Sequence, residues 1–244
     1  MCKNCFKSKS SAKHQKVPPP SIPVTSRFLP APEPEPQLQW NKEEIERRID
    51  SCEVELKQLI ATTETSPLPL CAQRPGIRIY GKETARGFLM KSEWECPHSP
   101  EAVFAFIQNN TLRLTWDPNL AECRRVGEVN AQVRLLYECD NEKFVPCPRD
   151  FLYAGKTCSY NGDRLYVKVS VEIAAIPPIP GHVRAHLFVG GYHLRPTAPG
   201  TLVTLYSEMD FGGGTPNRLL VKASSTTLKA WIEAFNQGIA RSGE

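Results

Sequence analysis

The sequence predicts an α+β fold in which an antiparallel sheet is followed by a long C-terminal helix. Six segments with alternating apolar residues follow one another between residues 126 and 210. No helical pattern separates them, which is typical of an antiparallel sheet and not of a doubly wound one. Asn161-Gly162 and Pro199-Gly200 lie between neighbouring segments and predict hairpin turns. Beyond residue 216 apolar residues recur at helical spacing: Leu219, Leu220, Leu228, Trp231, Ile232, Phe235 and Ile239.

The predicted elements begin with a helix that Asn41-x-x-Glu44 starts as a capping box and that runs to about residue 61. Its apolar face contains Ile45, Ile49, Cys52, Leu56 and Leu59. Prolines end this helix, and residues 77–80 and 87–96 then alternate as strands.

A second helix is predicted over residues 97–110, with Ser99 as its cap and Pro100 in its first turn. A third, short helix ends near Trp116, because Pro118 disfavours the α conformation at Asp117. The strands that follow are predicted at residues 126–128, 133–139, 151–159, 164–173, 183–195 and 202–210.

Residues 1–39 are predicted to be a disordered tail, and residues 40–244 a single domain. Eight prolines between residues 17 and 36 remove backbone donors, and few apolar side chains are present to form a core. The prolines favour an extended polyproline conformation, which acts either as a spacer or as the ligand of a proline-recognising domain.

The tail is also basic, with six basic residues against two acidic ones, and it accounts for the whole formal charge of +4. Cys2 and Cys5 lie beside its lysines, so acylation together with the basic run would attach the chain to a membrane surface. The alternatives are an ordinary solvated lysine run and half of a zinc site. A zinc site would need a second pair of ligands.

The remaining domain is electrically neutral, which argues against a nucleic-acid partner, because binding phosphates requires a concentrated basic face. No apolar run reaches the roughly 18–20 residues of a spanning helix, and the N-terminus lacks the apolar run of a secretory signal. Nine cysteines without framework spacing suit a reducing compartment. We therefore expect a cytoplasmic protein that can associate peripherally with membranes.

Four short motifs occur in one order: Arg113-x-x-Trp116-Asp117, Pro148-Arg149-Asp150-Phe151, Gly181-His182-Val183-Arg184-Ala185 and Asp210-x-x-Gly213-x-x-Pro216. Together they resemble the START domain, the lipid-transfer module related to the steroidogenic acute regulatory protein. The resemblance covers about residues 40–242. It implies a helix-grip fold, in which a curved antiparallel sheet and the C-terminal helix enclose one apolar ligand.

In this resemblance the C-terminal helix, with Trp231 and Phe235, acts as a lid over the cavity. Gly212, Gly213 and Gly214 lie where that helix begins, and three glycines permit large backbone changes, so they could form a hinge. The alternative is a tight connection that requires positive φ angles.

Arg113 and Asp117 match positions at which phosphatidylcholine-transfer and ceramide-transfer relatives place a basic and an acidic residue near the lipid headgroup. The alternative is an exposed ion pair four residues apart on a helix, worth a few tenths of a kcal/mol. Removal of such a pair would leave the stability of the fold almost intact.

Glu138 lies at the separation from Trp116 at which steroid-type relatives carry an acidic cavity residue. In those relatives an arginine follows the Pro-Arg-Asp-Phe motif and pairs with the acid, but the matching residue here is Gly155. Because an unpaired buried carboxylate is unfavourable, we expect Glu138 to contact Arg113 or another base, or to face water.

The resemblance therefore implies a monomeric lipid-binding or lipid-transfer protein that holds one phospholipid, sphingolipid or sterol. No cofactor, metal or catalytic residue is implied. Two other classes remain open: a cyclase or hydrolase of the wider helix-grip superfamily, and an interaction module whose cavity is filled by its own side chains.

Overall fold

The computed structural model describes residues 39–141, 148–214 and 217–242, and the side chains of the last segment from residue 227 onward. The predicted tail, with Cys2 and Cys5, lies outside the described residues apart from its last position. Leu219 and Leu220 lie in the C-terminal helix, but their side chains are not among those described.

The described residues form four helices and ten strands. In chain order these are α1 (Lys42–Thr65), β1 (Leu70–Arg74), β2 (Ile77–Thr84), β3 (Gly87–Cys96), α2 (Pro100–Gln108), α3 (Asn110–Trp116), β4 (Leu120–Glu128), β5 (Val133–Asp140), β6 (Arg149–Tyr160), β7 (Asp163–Ser170), β8 (Val183–Arg184), β9 (His186–Pro196), β10 (Thr201–Asp210) and α4 (Asn217–Ser242).

The strands form one sheet in the order β1-β2-β3-β10-β9-β7-β6-β5-β4, and β8 pairs with β6. Neighbours in this order are antiparallel, whereas β8 runs parallel to β6. The predicted α+β fold, with a curved antiparallel sheet and a long C-terminal helix, is confirmed.

Local signals in the sequence account for the ends of several elements. Asn41 Oδ1 accepts a hydrogen bond from the backbone N–H of Glu44 at 3.1 Å, and Ser99 Oγ accepts one from that of Ala102 at 3.3 Å. Asn161 has φ 52°, so the predicted turn between β6 and β7 is the left-handed turn that Asn-Gly favours. These predicted helix starts and this hairpin are confirmed.

Other boundaries differ from the prediction. The sequence analysis missed β1, because this edge strand is mostly exposed and shows no apolar alternation. Strand β4 begins at Leu120 and not at residue 126. The segment predicted as one strand over residues 183–195 divides at Ala185, whose N–H donates to the carbonyl of Asp150 at 3.0 Å.

The two faces of the sheet pack against different helices. Helix α1 covers one face, the outer face, with Ile45, Ile49, Cys52, Leu56 and Ile60 buried against strands β5, β6, β7 and β9. Helices α2, α3 and α4 lie on the opposite, inner face. Side chains alternate between the faces along each strand, so Leu135 joins the outer core and Leu136 the inner one.

An aromatic cluster joins α2, α3 and α4 to strand β3 on the inner face. Phe235 of α4 is fully buried, and its ring centroid lies 5.2–5.6 Å from those of Trp94, Phe106, Trp116 and Trp231. Centroid distances in this range are favourable for aromatic pairs.

Among the described residues, no helix is both long and apolar enough to cross a bilayer.

The aromatic cluster generates a prediction about stability. We expect Phe235→Ala to lower the free energy of unfolding by about 3–5 kcal/mol, because it leaves a cavity among four aromatic rings. Val54→Ala, at a position of α1 that is 57% exposed, serves as the control and should change the free energy by less than about 0.5 kcal/mol. Chemical denaturation measures both values. A Phe235→Ala loss no larger than that of the control would show that the cluster does not stabilise α4.

Candidate functional site

Arg113 and Asp117 lie at the end of α3, where their spacing places them side by side. Helix α3 ends at Trp116, and Asp117 adopts an extended conformation (φ −90°, ψ 100°), as Pro118 predicts. Arg113 Nε lies 3.5 Å from Asp117 Oδ2. Their side chains are only 12% and 2% exposed, so the alternative of a solvent-exposed surface pair is wrong.

Asp117 also contacts the C-terminal helix and its own loop. Trp231 Nε1 of α4 donates to Asp117 Oδ2 at 2.7 Å, and the backbone N–H of Asn119 donates to Oδ1 at 3.1 Å. The carboxylate therefore links α3 to α4. Sequence analysis identified Asp117 and Trp231 separately but did not predict this contact.

Glu138 of β5 is buried on the inner face and is the acceptor at the centre of the site. Arg113 Nη1 donates to its Oε1 at 2.8 Å, the Tyr153 hydroxyl donates to the same oxygen, and Lys168 Nζ lies 3.8 Å away. Burial alone raises the pKa of Glu138, but Arg113, Lys168 and the Tyr153 hydrogen bond outweigh it, so the pKa is lowered. Of the three environments expected for Glu138, the structure shows contact with bases.

Lys168 of β7 is the main site residue that the sequence analysis missed. Its Nζ donates to the Tyr153 hydroxyl at 3.0 Å and lies 4.4 Å from the centroid of that ring. The rings of Tyr166 and Tyr192 lie at 5.8 Å and 5.6 Å, within the range of cation–π attraction. Burial lowers the pKa of Lys168 to about 8, although Glu138 acts in the opposite direction.

Gly155 of β6 explains how Lys168 can take this position. The two residues are register partners across the β6–β7 ladder. A Cβ atom at Gly155 would lie 2.2 Å from the Tyr166 hydroxyl oxygen, so the space beside this glycine is already filled. The base that faces Glu138 from this part of the sheet is therefore on β7 and not on β6.

We call Arg113, Asp117, Glu138, Tyr153 and Lys168 the polar cluster. The alternation within β7 was a signal for Lys168, because Leu165, Val167 and Val169 belong to the outer core, which places residues 166 and 168 on the inner face. Sequence alone could not show that this lysine lies opposite Glu138. That juxtaposition depends on the register of three strands.

The remaining motif residues hold chain segments together. Arg184 donates to Asp150 through Nε at 3.0 Å and Nη2 at 2.8 Å, and the Tyr137 hydroxyl donates to the same carboxylate at 3.2 Å. Arg149 Nε donates to the carbonyl of Phe211 at 3.2 Å, next to the connection that leads to α4. These contacts fit the structural role that fold signatures usually have.

The connection from β10 to α4 contains the three glycines that were considered as a hinge. Gly212, Gly213 and Gly214 have φ angles of 64°, 70° and 68°, a left-handed conformation that favours glycine. A Cβ atom at Gly212 would also lie 2.7 Å from a methyl carbon of Val183. The tight connection is therefore present, and the hinge remains a proposal.

Comparisons with known proteins identify the family to which this chain belongs. The family model described as "START domain" matches residues 68–239, more than half of the chain. Human StAR-related lipid transfer protein 5 superposes with a TM-score of 0.74 at 18% identity, covering 84% of this chain and 100% of that structure. Human STARD10 superposes with a TM-score of 0.64 at 19% identity, covering 83% of this chain and 81% of that one.

A curated relative from Rattus norvegicus, described as acetyl-coenzyme A thioesterase, is 20% identical over 166 residues. That alignment covers 63% of this chain but only 30% of the rat protein, so the chain spans less than a third of its length. The structural likenesses, below 25% identity, show the fold alone. Because the family model spans most of the domain and includes all four motifs, the chain belongs to the START domain family.

Proposed function

We propose that residues 40–244 form a lipid-binding domain that holds one lipid in a cavity between the inner face of the sheet and α4. The observation that carries this proposal is the polar cluster, a group of buried charged side chains on a face that otherwise packs apolar and aromatic residues. Apolar chains supply affinity, at about 0.8 kcal/mol for each buried methylene. The cluster would supply selectivity.

Arg113, Asp117 and Glu138 are the proposed headgroup contacts. A guanidinium can bind a phosphate or hydroxyl through two parallel hydrogen bonds, and here it is held on both sides by carboxylates. A buried polar group without a partner costs about 1–3 kcal/mol. A lipid whose headgroup satisfies this cluster would therefore be preferred to one that leaves it unpaired.

We propose that α4 acts as the lid, with Trp231 and Phe235 on its inward side and Gly212, Gly213 and Gly214 as its hinge. The hydrogen bond from Trp231 to Asp117 supports this role, because it joins the helix to the residue that also contacts Arg113. A change at the headgroup site would then alter the contact that holds the lid.

For the tail we propose membrane attachment. Cys2 and Cys5 are the candidate acylation sites, and the basic residues would bind anionic lipids. The proline tract is either a spacer or a ligand for a proline-recognising domain. The resulting protein would be cytoplasmic, peripheral on membranes and monomeric, and it would carry its lipid between membranes or report its presence.

An enzymatic function remains the rival, because of the likeness to a thioesterase. A cysteine and a histidine do approach each other, with Cys139 Sγ 3.2 Å from His182 Nε2. Cys139 is buried, however, and alternation along β5 directs it to the face opposite Glu138. A ligand in the proposed cavity would not reach it, which favours binding over catalysis.

The first functional prediction concerns occupancy. We expect native mass spectrometry of residues 40–244 to show one lipid bound to each protein molecule when glycerophospholipids, sphingolipids, sterols and fatty acids are offered. The physical reason is that one cavity with one polar cluster would hold a single ligand. If no member of the panel bound saturably, the interaction module with a filled cavity would replace this proposal.

A second prediction concerns the lid. Trp231→Phe removes the N–H that Asp117 accepts, so we expect the free energy of unfolding to fall by about 1.5–3 kcal/mol, the range for a hydrogen bond to a charged group. We also expect bound lipid to dissociate faster. Denaturation and stopped-flow release of a fluorescent lipid measure the two effects.

Trp116→Phe is the matched control for this variant. Trp116 belongs to the same aromatic cluster, but its buried N–H has no hydrogen-bond partner among the described residues. The control therefore loses similar ring surface without losing a hydrogen bond. Equal effects of the two substitutions would show that the contact with Asp117 does not hold α4.

A third prediction concerns the tail. We expect Cys2→Ser combined with Cys5→Ser to move the protein from the membrane fraction to the supernatant, because one signal alone gives only marginal binding. Neutralising the lysines should weaken attachment in a salt-dependent way. Cys71→Ser, at an exposed cysteine of the domain, is the control. Unchanged fractionation of the tail variants would leave the tail as a spacer.

A further inference from the structure

We propose that Arg113 and Lys168 together form a binding site for an acidic, oxygen-rich group, a phosphate or a carboxylate. The ligand would then be an acidic lipid, and not one whose only polar group is a hydroxyl. This inference rests on the proposed lipid-binding function and names the ligand class of the same site.

The two cations converge on a single oxygen. Glu138 Oε1 accepts from Arg113 Nη1 at 2.8 Å, lies 3.8 Å from Lys168 Nζ and also accepts from Tyr153. One carboxylate oxygen thus accepts hydrogen bonds from α3 and β6 and forms an ion pair with the lysine of β7. A ligand oxygen placed between the two cations could accept from either of them.

The second carboxylate cannot serve these cations equally well. Asp117 already accepts the Trp231 indole N–H at 2.7 Å and the Asn119 backbone N–H at 3.1 Å, whereas its distance to Arg113 is 3.5 Å. Most of its accepting capacity is therefore used in holding α4 and the loop after α3. Asp117 is therefore a weaker acceptor for Arg113 than Glu138, which lies 2.8 Å from Arg113 Nη1 and 3.8 Å from Lys168 Nζ.

The site is rich in hydrogen-bond donors. Tyr166 and Tyr192, which are both buried, add two hydroxyl groups to the inner face beside Lys168. An ammonium has three N–H donors and a guanidinium has five. A lipid hydroxyl brings one oxygen, whereas a phosphate or carboxylate brings at least two, so the acidic group satisfies more of these donors.

Two arginines border a cleft next to the site. An open cleft of about 360 Å³ is bordered by Tyr166, Arg125, Arg134 and Gln108. Tyr166 is the ring that lies 5.8 Å from Lys168 Nζ, so the cleft and the polar cluster share a wall. Arg125 pairs with Glu128, whereas Arg134 contacts the Gln108 amide oxygen, so Arg134 is the cation at this border that would favour the approach of an acidic group.

Binding of an anion here should be coupled to a proton. The groups that face Lys168 are Arg113 and Asp117 from α3, Cys123 from β4, Glu138 from β5, Tyr153 from β6, Tyr166 from β7 itself and Tyr192 from β9. With a pKa of about 8, the empty site holds a charged lysine below that pH and loses the charge above it. An anion favours the charged form, so above pH 8 the protein must take up a proton when the anion binds.

The test uses pairs of ligands that differ in one group. Dioleoyl phosphatidylglycerol is compared with dioleoylglycerol, and oleic acid with oleyl alcohol, by fluorescence displacement at pH 7. We expect the acidic member of at least one pair to bind about tenfold tighter or more, equivalent to one charge-assisted hydrogen bond. The pair that discriminates identifies phosphate or carboxylate as the recognised group.

Variants at Lys168 then test the residue itself. We expect Lys168→Met to lower the affinity for the acidic lipid about tenfold more than the affinity for the uncharged lipid, and Lys168→Arg to retain most of the affinity for the acidic lipid. Lys156→Met is the matched control, because Lys156 lies on the same sheet but pairs with Asp50 and Glu53. If Lys168→Met does not fold, the pH dependence of lipid binding by the unmodified protein tests the role of Lys168 instead.

For the unmodified protein, affinity for phosphatidylglycerol should be constant below pH 8 and fall by up to tenfold for each pH unit above it. Its phosphodiester does not titrate in this range. Equal binding within both pairs, or a flat pH profile, would overturn the acidic-ligand inference and leave lipid binding itself intact. If none of the four lipids bound to the correctly folded, unmodified protein, the proposed lipid-binding function itself would be wrong.

Discussion

An ionised side chain that leaves water loses several kcal/mol of hydration, and only close partners of opposite charge can compensate. The inner face of this sheet contains two cations and two carboxylates with little solvent contact. Each lies within 4 Å of an opposite charge, so the four side chains depend on one another. Removing Arg113 alone would leave Glu138 to depend on Lys168, 3.8 Å away, for an opposite charge, at a cost of the order of 3–5 kcal/mol. The expectation that its removal would leave the fold almost intact assumed an exposed pair, and the burial of Arg113 beside two carboxylates argues against it.

The mutual dependence of these charges explains the spacing of residues in the first of the four motifs. In Arg113-x-x-Trp116-Asp117, the spacing of four residues puts the guanidinium beside the carboxylate at the end of α3. The tryptophan between them packs against Phe106 and Phe235, and so fixes how α3 lies on α4. The motif thus combines a charged contact and an apolar contact in one turn of helix. Asp117 belongs to both, because Trp231 donates to it.

The contacts of the polar cluster also connect three neighbouring strands of the sheet. Tyr153 connects Glu138 to Lys168, and Gly155 leaves room for the Tyr166 hydroxyl. A larger residue at Gly155 would displace Tyr166, which lies on the same strand face as Lys168. The choice of residue on β6 is thus linked to the choice on β7. In this chain the buried base therefore lies on β7, opposite the acid on β5.

The sequence alone determined the fold class and the order of most elements, because these follow from local signals, whereas the resemblance to the START domain identified Arg113, Asp117 and Glu138 as candidates. Alternation, helix caps, Asn161-Gly162 and four ordered motifs are all readable over a few residues. It did not reveal β1, whose exposed edge position produces no alternation. Arg113 and Asp117 were found through their spacing, but whether they were buried depended on α4, more than 100 residues later. Lys168 was missed because its partners come from three other elements, and only the register of β5, β6 and β7 brings them together.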